Sequence, residues 1–213
     1  MHVVDLTFGE RGESEDYWTG AKAGNVEEAK AVRSKEASEA AAVLGATIQF
    51  LDFDDYPLDM TVQRVRVLAG ILREHRADIV LTHWKTDPYN LDHEVTANSV
   101  MRAATLAAVP GFDPLHPILA YPEIFAFEPT VPRDDETGFR PNHYIPIDSV
   151  FERKMEALRK LRSQKKLVQF YTQCGEFRGW QARQWRTQPV RYAEAFYRYN
   201  AIVAAGFAPA ARP

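Results

Sequence analysis

Residues 78–93 read DIVLTHWKTDPYNLDH, and this stretch decides the fold class. Residues 78–81 are short, largely apolar and contain two β-branched side chains, which is typical of a buried strand. A polar loop follows, and residues 94–108, which lack glycine and proline, are predicted to form a helix. In α/β proteins, ligands bind outside the carboxyl ends of strands, so the loop between these two elements is a candidate site.

The loop ends in an Asp-His pair that has two interpretations. Asp92 suits the N-cap of the helix, because its side chain can accept hydrogen bonds from free backbone N–H groups, and His93 would then be a first-turn surface residue. In the other interpretation, the carboxylate and the imidazole belong to a functional site. Spacing alone leaves both open.

Strands and helices alternate on both sides of this stretch. Because each crossover has the length that a right-handed βαβ unit needs, the pattern predicts a parallel sheet with helices on both faces. The predicted strands are residues 3–8, 47–51 and 78–81, and the predicted helices are residues 26–44, 61–75 and 94–108.

The second half of the chain is richer in proline and is predicted to be less regular. Pro146 places the strand at residues 144–147 on a sheet edge, since proline cannot donate to a ladder. Residues 174–185 are expected to lie across the mouth of the site or in a subunit contact. Further predictions are a strand at residues 124–128 and helices at residues 150–170 and 192–204.

A second polar loop, FGERGES at residues 8–14, follows the first strand. Its two glycines permit a tight path or a close approach of the backbone to a ligand. Glu10, Arg11 and Glu13 place charges of both signs at the carboxyl end of that strand. The alternative is a solvated loop without a function.

Composition excludes several classes of protein. A net charge of −3 over 213 residues gives neither a basic footprint for nucleic acid nor a polybasic membrane signal. Cys174 is the only cysteine, so an intramolecular disulfide is impossible. No apolar run reaches the ~18 residues that span a bilayer, and no signal peptide is visible. A cytoplasmic enzyme acting on a small molecule is expected.

Three segments together resemble the PIG-L/LmbE superfamily of zinc-dependent deacetylases. They are VVDLTFGERG at residues 3–12, RSKEA at residues 33–37 ahead of Leu44-Gly45, and DPYNLDH at residues 87–93. The run FGERGES, the DPYN form of the loop and FAFEP at residues 125–129 are similar to one branch, the 4-oxalomesaconate hydratases of gallate and related aromatic-acid breakdown. The resemblance covers nearly the whole chain and implies a single Rossmann-like domain over residues 1–213.

The resemblance also exposes a departure from the family pattern. Members usually begin with an earlier strand that ends in a His-x-x-Asp motif and supplies two zinc ligands, and this sequence lacks that strand, its helix and the motif. The fold is therefore expected to lack the usual first βα unit, and His93 is the one zinc ligand carried over. Zinc needs about three protein ligands. The missing unit predicts an exposed apolar sheet edge or helix face, and hence a homo-oligomer.

The hydratase branch implies roles for the acidic residues. Water must add to a carbon–carbon double bond conjugated with carbonyl or carboxylate groups, and zinc would activate that water or stabilise the enolate. Glu10 is the candidate acid/base, and it is preferred to Glu13 because Glu13 lies farther along the loop. Asp92 is the second candidate for the catalytic set, although orienting the surroundings of His93 or capping the helix is its more ordinary role.

The remaining candidates would bind the substrate. Tyr89 and Asn90 could donate hydrogen bonds to the developing oxyanion. Arg11 is the first choice for a substrate carboxylate, and Arg33 is the weaker choice because it can pair with Glu36 instead. Two other functions stay open: an N-deacetylase or amidohydrolase of the same superfamily, and a truncated member without catalysis. In deacetylase relatives a histidine often stands at the position of Asn90, which speaks against the first of these.

Overall fold

The computed structural model describes residues 1–21, 24–113, 115–132, 134–185, 189–203 and 206. The strands are β1 (His2–Asp5), β2 (Thr47–Phe50), β3 (Ile79–Thr82), β4 (Glu123–Ala126), β5 (His143–Pro146) and β6 (Ala193–Arg198). The helices are α1 (Glu15–Trp18), α2 (Val26–Leu44), α3 (Val62–Glu74), α4 (Leu91–Ala107), α5 (Asp134–Thr137), α6 (Phe151–Leu158) and α7 (Lys166–Arg183), with a 3-10 turn at Arg162–Gln164.

The strands form a mixed arrangement that begins parallel and ends antiparallel. Strand β1 pairs with β2 and β3 pairs with β4, both parallel, which confirms the predicted βαβ units. Strand β6 lies between β4 and β5 and is antiparallel to both. The second sheet therefore has the order β3-β4-β6-β5, and β5 lies at its edge as Pro146 predicted.

Helix α2 has the bounds that the sequence predicts, because both of its ends carry specific capping residues. The Asn25 side chain accepts a hydrogen bond from the backbone N–H of Glu28 at 3.0 Å. At the other end, Gly45 adopts φ 67°, the left-handed conformation that closes many helices. This well-defined helix carries Arg33, which lines the cavity described below, and the buried Glu36 one turn later.

Two helix predictions in the second half are wrong. Residues 192–204 contain strand β6 instead of a helix, because pairing with strands on both sides buries Ala193 and Ala195. The single helix predicted for residues 150–170 is divided into α6, the 3-10 turn and α7. The division has a tertiary cause, since the backbone N–H and the hydroxyl of Ser163 both donate to the buried carboxylate of Glu36 on α2.

The segment predicted at the site mouth, residues 174–185, mostly continues helix α7 to Arg183. This segment does not line the cavity, and α7 contacts strands β5 and β6. A position across the site mouth is therefore wrong, and the alternative of a subunit contact stays a prediction. None of the described helices combines the length and apolar character that crossing a lipid bilayer requires.

The main hydrophobic cluster lies between β1 and the helix pair α3 and α4, and burial of its apolar side chains stabilises the first half of the chain. Its buried members are Leu6, Leu58, Val65, Leu68, Ala69, Ala103 and Ala107. The cluster fixes the carboxyl end of β1 against the start of α4, which is where the polar loops meet.

Within the described residues, the strands divide into two sheets, and β1 does not pair with β3. On β3, Ile79 is 62% exposed and Leu81 is 55% exposed, and because they are two residues apart they form an apolar patch on one face of the strand. Homo-oligomerisation through such an apolar surface stays a prediction. The division of the sheet opens a cavity between the carboxyl ends of β1 and β3.

Candidate active site

A cavity of about 210 Å³ lies where the two sheets part. Its walls come from the end of β1 and the loop after it, from helix α2, from the loop after β2 and from the start of α4. The charged and polar residues that line it include Asp5, Thr7, Glu13, Arg33, Asp55, His83, Asn90, Asp92, His93 and Thr96. The two loops that the sequence singled out therefore meet at one site.

His93 is held between two carboxylates. Its Nδ1 lies 2.9 Å from Oδ2 of Asp87, and its Nε2 lies 3.1 Å from Oε1 of Glu13. The amide of Asn90 donates to the same Glu13 oxygen at 2.8 Å. The ring of His83 stacks on the His93 ring with centroids 3.8 Å apart. This arrangement fixes the imidazole and leaves an acid/base chain, Asp87–His93–Glu13, at the cavity wall.

The carboxylates of Glu13 and Asp87 determine the protonation of His93. Burial alone would lower the pKa of His93, but the hydrogen bonds and negative charges of Glu13 and Asp87 outweigh it and raise that pKa above its ordinary value. Burial opposes ionisation of Glu13, yet the contact with His93 prevails and lowers its pKa. His83 differs: burial and the neighbouring positive His93 lower its pKa to about 3, so His83 stays neutral.

Asp5 is a cavity carboxyl of a different kind. Burial raises its pKa to about 6, and the nearby Arg33 only partly offsets this effect. Within the described residues no hydrogen bond to the Asp5 carboxylate offsets the effect of burial. Asp5 therefore costs stability whenever it is ionised in the folded protein.

Asp5→Asn is expected to stabilise the protein at neutral and alkaline pH. Because the folded state holds the proton up to about pH 6 and the unfolded state releases it near the ordinary pKa of 3.8, the penalty develops as pH rises between these values. The gain should reach roughly 2–3 kcal/mol above pH ~7 and vanish below pH ~4. Urea unfolding across this range measures it, with exposed Asp59→Asn as the control. An equal effect at all pH values would contradict the argument.

The structure places the predicted catalytic residues in different surroundings. Glu10 is fully buried, accepts a hydrogen bond from the backbone N–H of Phe8 at 3.1 Å, and does not line the cavity, whereas Glu13 does. Asp92 lines the cavity, but its carboxylate accepts hydrogen bonds from the backbone N–H groups of Tyr56 and Leu58 at 2.8 and 2.9 Å. The predicted N-cap role of Asp92 is wrong, because the cap position is Asn90.

The predicted substrate-binding residues also separate. Arg11 pairs with Asp54 and Asp55 and lies outside the cavity lining. Tyr89 is 50% exposed and its hydroxyl donates to Glu136. Asn90 lies in the cavity wall, where its amide nitrogen contacts both Glu13 and His93.

Arg33, the weaker choice in the sequence, lines the cavity. Its Nε donates to the backbone carbonyl of Phe8 at 2.9 Å, and its Nη1 donates to Gln164 at 2.8 Å. Glu36, its predicted partner, lies 3.9 Å away and is buried. The pair is thus an internal anchor between α2 and the 3-10 turn, rather than a surface ion pair.

The described residues can be searched for groups of side chains that could hold zinc. At the cavity these are the His93 imidazole, with Nδ1 held by a buried carboxylate as in many metal-bound histidines, and the Glu13 carboxylate. This set is of the right kind but short of the three ligands that zinc needs. The described His, Cys, Asp and Glu side chains that do cluster in a group of three are Glu10, Asp54 and Asp55, and Arg11 and Lys30 already neutralise that group.

Sequence reasoning missed Asp87 and Thr130 as members of the site. Asp87 precedes the proline of the DPYN loop, and a buried carboxylate behind a histidine could have been suspected from that position. Thr130 follows β4, and its backbone N–H and hydroxyl both donate to Asp87 at 2.8 Å. No local sequence signal links Thr130 to residues that lie 37 and 43 positions away.

Comparisons with known proteins place the chain among relatives of two activities. Residues 1–104 match the family described as PIG-L, GlcNAc-PI de-N-acetylase. The chain is 37% identical over 185 residues to 4-oxalmesaconate hydratase of Pseudomonas putida, and the match covers 86% of this chain and 70% of the relative.

Two solved structures share the fold. The crystal structure of GalB, the 4-carboxy-2-hydroxymuconate hydratase of Pseudomonas putida KT2440, has 32% identity and a TM-score of 0.91, covering 98% of this chain and 87% of that chain. N,N'-diacetylchitobiose deacetylase of Pyrococcus horikoshii has 25% identity and a TM-score of 0.75, covering 92% and 72%. The predicted fold class and the predicted resemblance are both confirmed, and the chain belongs to the PIG-L family, near its 4-oxalmesaconate hydratase branch.

Proposed function

We propose that this protein is a hydratase that adds water to the double bond of an unsaturated carboxylic acid of the 4-oxalmesaconate type. The observation that carries the proposal is the acid/base chain Asp87–His93–Glu13 in a cavity that also contains Arg33. The hydratase names of the relatives with 37% and 32% identity support the same reaction.

The chain's own residues supply the proton transfers. Water attacks the carbon that is conjugated to a carboxylate, so a base must take a proton as the carbon–oxygen bond forms. Glu13 is suited to this role because its lowered pKa keeps it ionised and because it lines the cavity beside His93. Glu13 then delivers this proton to the adjacent carbon as the enolate collapses, so that both parts of the water molecule are added and the carboxylate is regenerated. His93, bonded to Glu13 through Nε2, orients this carboxylate, and the Asn90 amide is placed to donate a hydrogen bond to the enolate oxygen.

Arg33 is the proposed partner of a substrate carboxylate. Its Nε and Nη1 are engaged by protein groups, whereas its Nη2 forms no hydrogen bond in the part of the chain described. A guanidinium bonded in this way is pre-oriented, and its free nitrogen can bind a carboxylate in the cavity. Arg11 remains a prediction from the sequence, and its pairing with two aspartates leaves it less available.

Arg33→Lys is expected to raise KM for the tricarboxylate about 10–100-fold, because a charged hydrogen bond to the substrate is worth ~1.5–3 kcal/mol. The lysine keeps the charge, but it cannot bond Phe8, Gln164 and the substrate carboxylate at the same time, as the guanidinium can. Arg11→Lys should leave KM within about twofold, since changes at exposed rim charges have small effects. Steady-state kinetics of both variants measure this. A larger effect on KM at Arg11 than at Arg33 would show that Arg11, in the loop at residues 8–14, binds the substrate carboxylate.

Zinc is proposed as the cofactor from family membership, because PIG-L members are generally zinc-dependent. His93 would hold it through Nε2, in place of its contact with Glu13, and the described residues do not complete the ligand set by themselves. When bound, zinc supplies Lewis acidity that makes hydroxide available near neutral pH. In that state His93 would be a ligand, and Glu13, Asn90 and Arg33 would keep the roles given above.

Deacetylation is the second candidate, and the fold shared with the Pyrococcus deacetylase favours it. A direct comparison separates the two. The purified chain, with zinc added, is given 4-carboxy-2-hydroxymuconate and, separately, N,N'-diacetylchitobiose. Loss of the conjugated ultraviolet absorbance of the first substrate, without acetate release from the second, supports the hydratase. Acetate release without hydration overturns it, and inactivity on both favours a member without catalysis.

A further inference from the structure

The loop that follows β4 contacts Asp87, the carboxylate that is bonded to Nδ1 of His93. Thr130 lies on this loop and is exposed, yet both its backbone N–H and its hydroxyl point inward to Oδ2 of Asp87, each at 2.8 Å. The Asp87 side chain is 1% exposed, so these two hydrogen bonds are made to a buried carboxylate.

Three donors converge on a single oxygen of Asp87. Besides the two groups of Thr130, Nδ1 of His93 lies 2.9 Å from Oδ2. The other oxygen, Oδ1, is buried and has no hydrogen-bond partner in the described residues. Rotation of the carboxylate would exchange the two oxygens and move the acceptor relative to the ring, and the Thr130 contacts oppose this rotation.

The loop itself is anchored by a buried ion pair. Glu128 accepts two hydrogen bonds from Arg178 of α7, both at 2.9 Å, and the Arg178 side chain is 6% exposed. The Arg178 guanidinium also lies 5.3 Å from the ring centre of Phe177 and 5.9 Å from that of Phe139. A bidentate, desolvated pair of this kind has a well-defined geometry. Thr130 therefore lies only two residues from Glu128, which the pair with Arg178 holds in place.

We infer that Thr130 is a positioning residue, which locks the Asp87 carboxylate so that His93 keeps its Nδ1–H on Asp87 and its Nε2 toward the cavity. The Glu128–Arg178 pair holds the loop in place for this purpose. The inference rests on the proposed function for its kinetic effect. It rests on the contacts alone for the orientation and tautomer of the ring.

Thr130→Val tests the inference, with Thr130→Ser as the matched control that keeps the hydroxyl. Loss of a group that orients a functional histidine typically costs about 10–100-fold. We expect Thr130→Val to lower kcat on 4-carboxy-2-hydroxymuconate about tenfold or more and to leave KM within about twofold, and Thr130→Ser to stay near wild type. A wild-type kcat in Thr130→Val, or an effect confined to KM, would overturn the role.

A spectroscopic readout keeps the inference separate from the hydratase proposal. Nitrogen-15 NMR at alkaline pH reports which ring nitrogen of neutral His93 carries the proton, and the His93→Gln spectrum assigns the signals. We expect one tautomer, Nδ1–H, in wild type and Thr130→Ser, and a mixture in Thr130→Val. If the wild-type chain shows no hydration while the tautomer shifts as expected, the proposed function fails and the positioning role stands. An unchanged tautomer in Thr130→Val overturns the positioning role.

Discussion

Glu13→Gln is expected to lower the kcat of hydration about 10²–10⁴-fold, the range that removal of a general base produces. Glutamine keeps the shape and can still accept the hydrogen bond from Asn90, but it cannot take a proton from water or pair with protonated His93. The expected loss is therefore in kcat more than in KM. Steady-state kinetics on purified variants measure it, and circular dichroism verifies that the variant is folded.

Glu10→Gln is the matched control, because the sequence alone favours Glu10 as the acid/base. Glu10 is buried beside Lys30, outside the cavity lining, and its carboxylate accepts a backbone hydrogen bond that glutamine can also accept. We expect its kcat to stay within about tenfold of wild type. If Glu10→Gln loses activity and Glu13→Gln keeps it, the original sequence prediction is right and the assignment to Glu13 is wrong.

The largest effect on stability is expected from Arg73→Met. Arg73 is 1% exposed and its guanidinium donates to four backbone carbonyls, those of Ala107, Val109, Asp113 and His116. The first of these is the last residue of α4, so Arg73 satisfies the carboxyl end of the helix that begins beside His93. Methionine fills similar space but donates to none of the four carbonyls. Those of Ala107 and Val109 keep a backbone donor, from Leu119 and Phe112, so the loss falls mainly on the carbonyls of Asp113 and His116.

Each buried group that loses its partner costs about 1–3 kcal/mol, and the chain can relax around some of them. The expected loss is therefore about 2–4 kcal/mol, or a fall in Tm of roughly 5–15 °C. Arg66→Met on the exposed side of the same helix is the control, and it should stay within about 0.5 kcal/mol. Equal Tm values for the two variants in thermal unfolding would show that Arg73 does not stabilise the end of α4.

The alternating first half of the fold was predictable from local signals. Helix α2 begins with a capping Asn25 and ends at Gly45, and the apolar spacing of α3 and the short strands set the parallel pairs. The antiparallel second half of the fold was not predictable from local signals. Strand β6 carries helix-compatible residues and becomes a strand only because β4 and β5 flank it, which is a tertiary effect that the local sequence does not encode.

The site was predictable in position but not in detail. The two polar loops after β1 and β3 and the residue His93 could be chosen because they lie at strand ends. The choice between Glu10 and Glu13, or between Arg11 and Arg33, depends on which side chain turns into the cavity. Distance along a loop does not determine that direction. Asp54 and Asp55, which occupy Arg11, come from a different loop altogether.

The most direct test of the hydratase proposal is the mass of the product. Wild type and His93→Ala are incubated with 4-carboxy-2-hydroxymuconate, and the reaction mixtures are examined by mass spectrometry. The account predicts a product heavier than the substrate by one water molecule with wild type, and little or none with His93→Ala. No hydrated product from wild type would contradict the proposed function, and equal amounts from both proteins would show that the reaction does not depend on the His93 site.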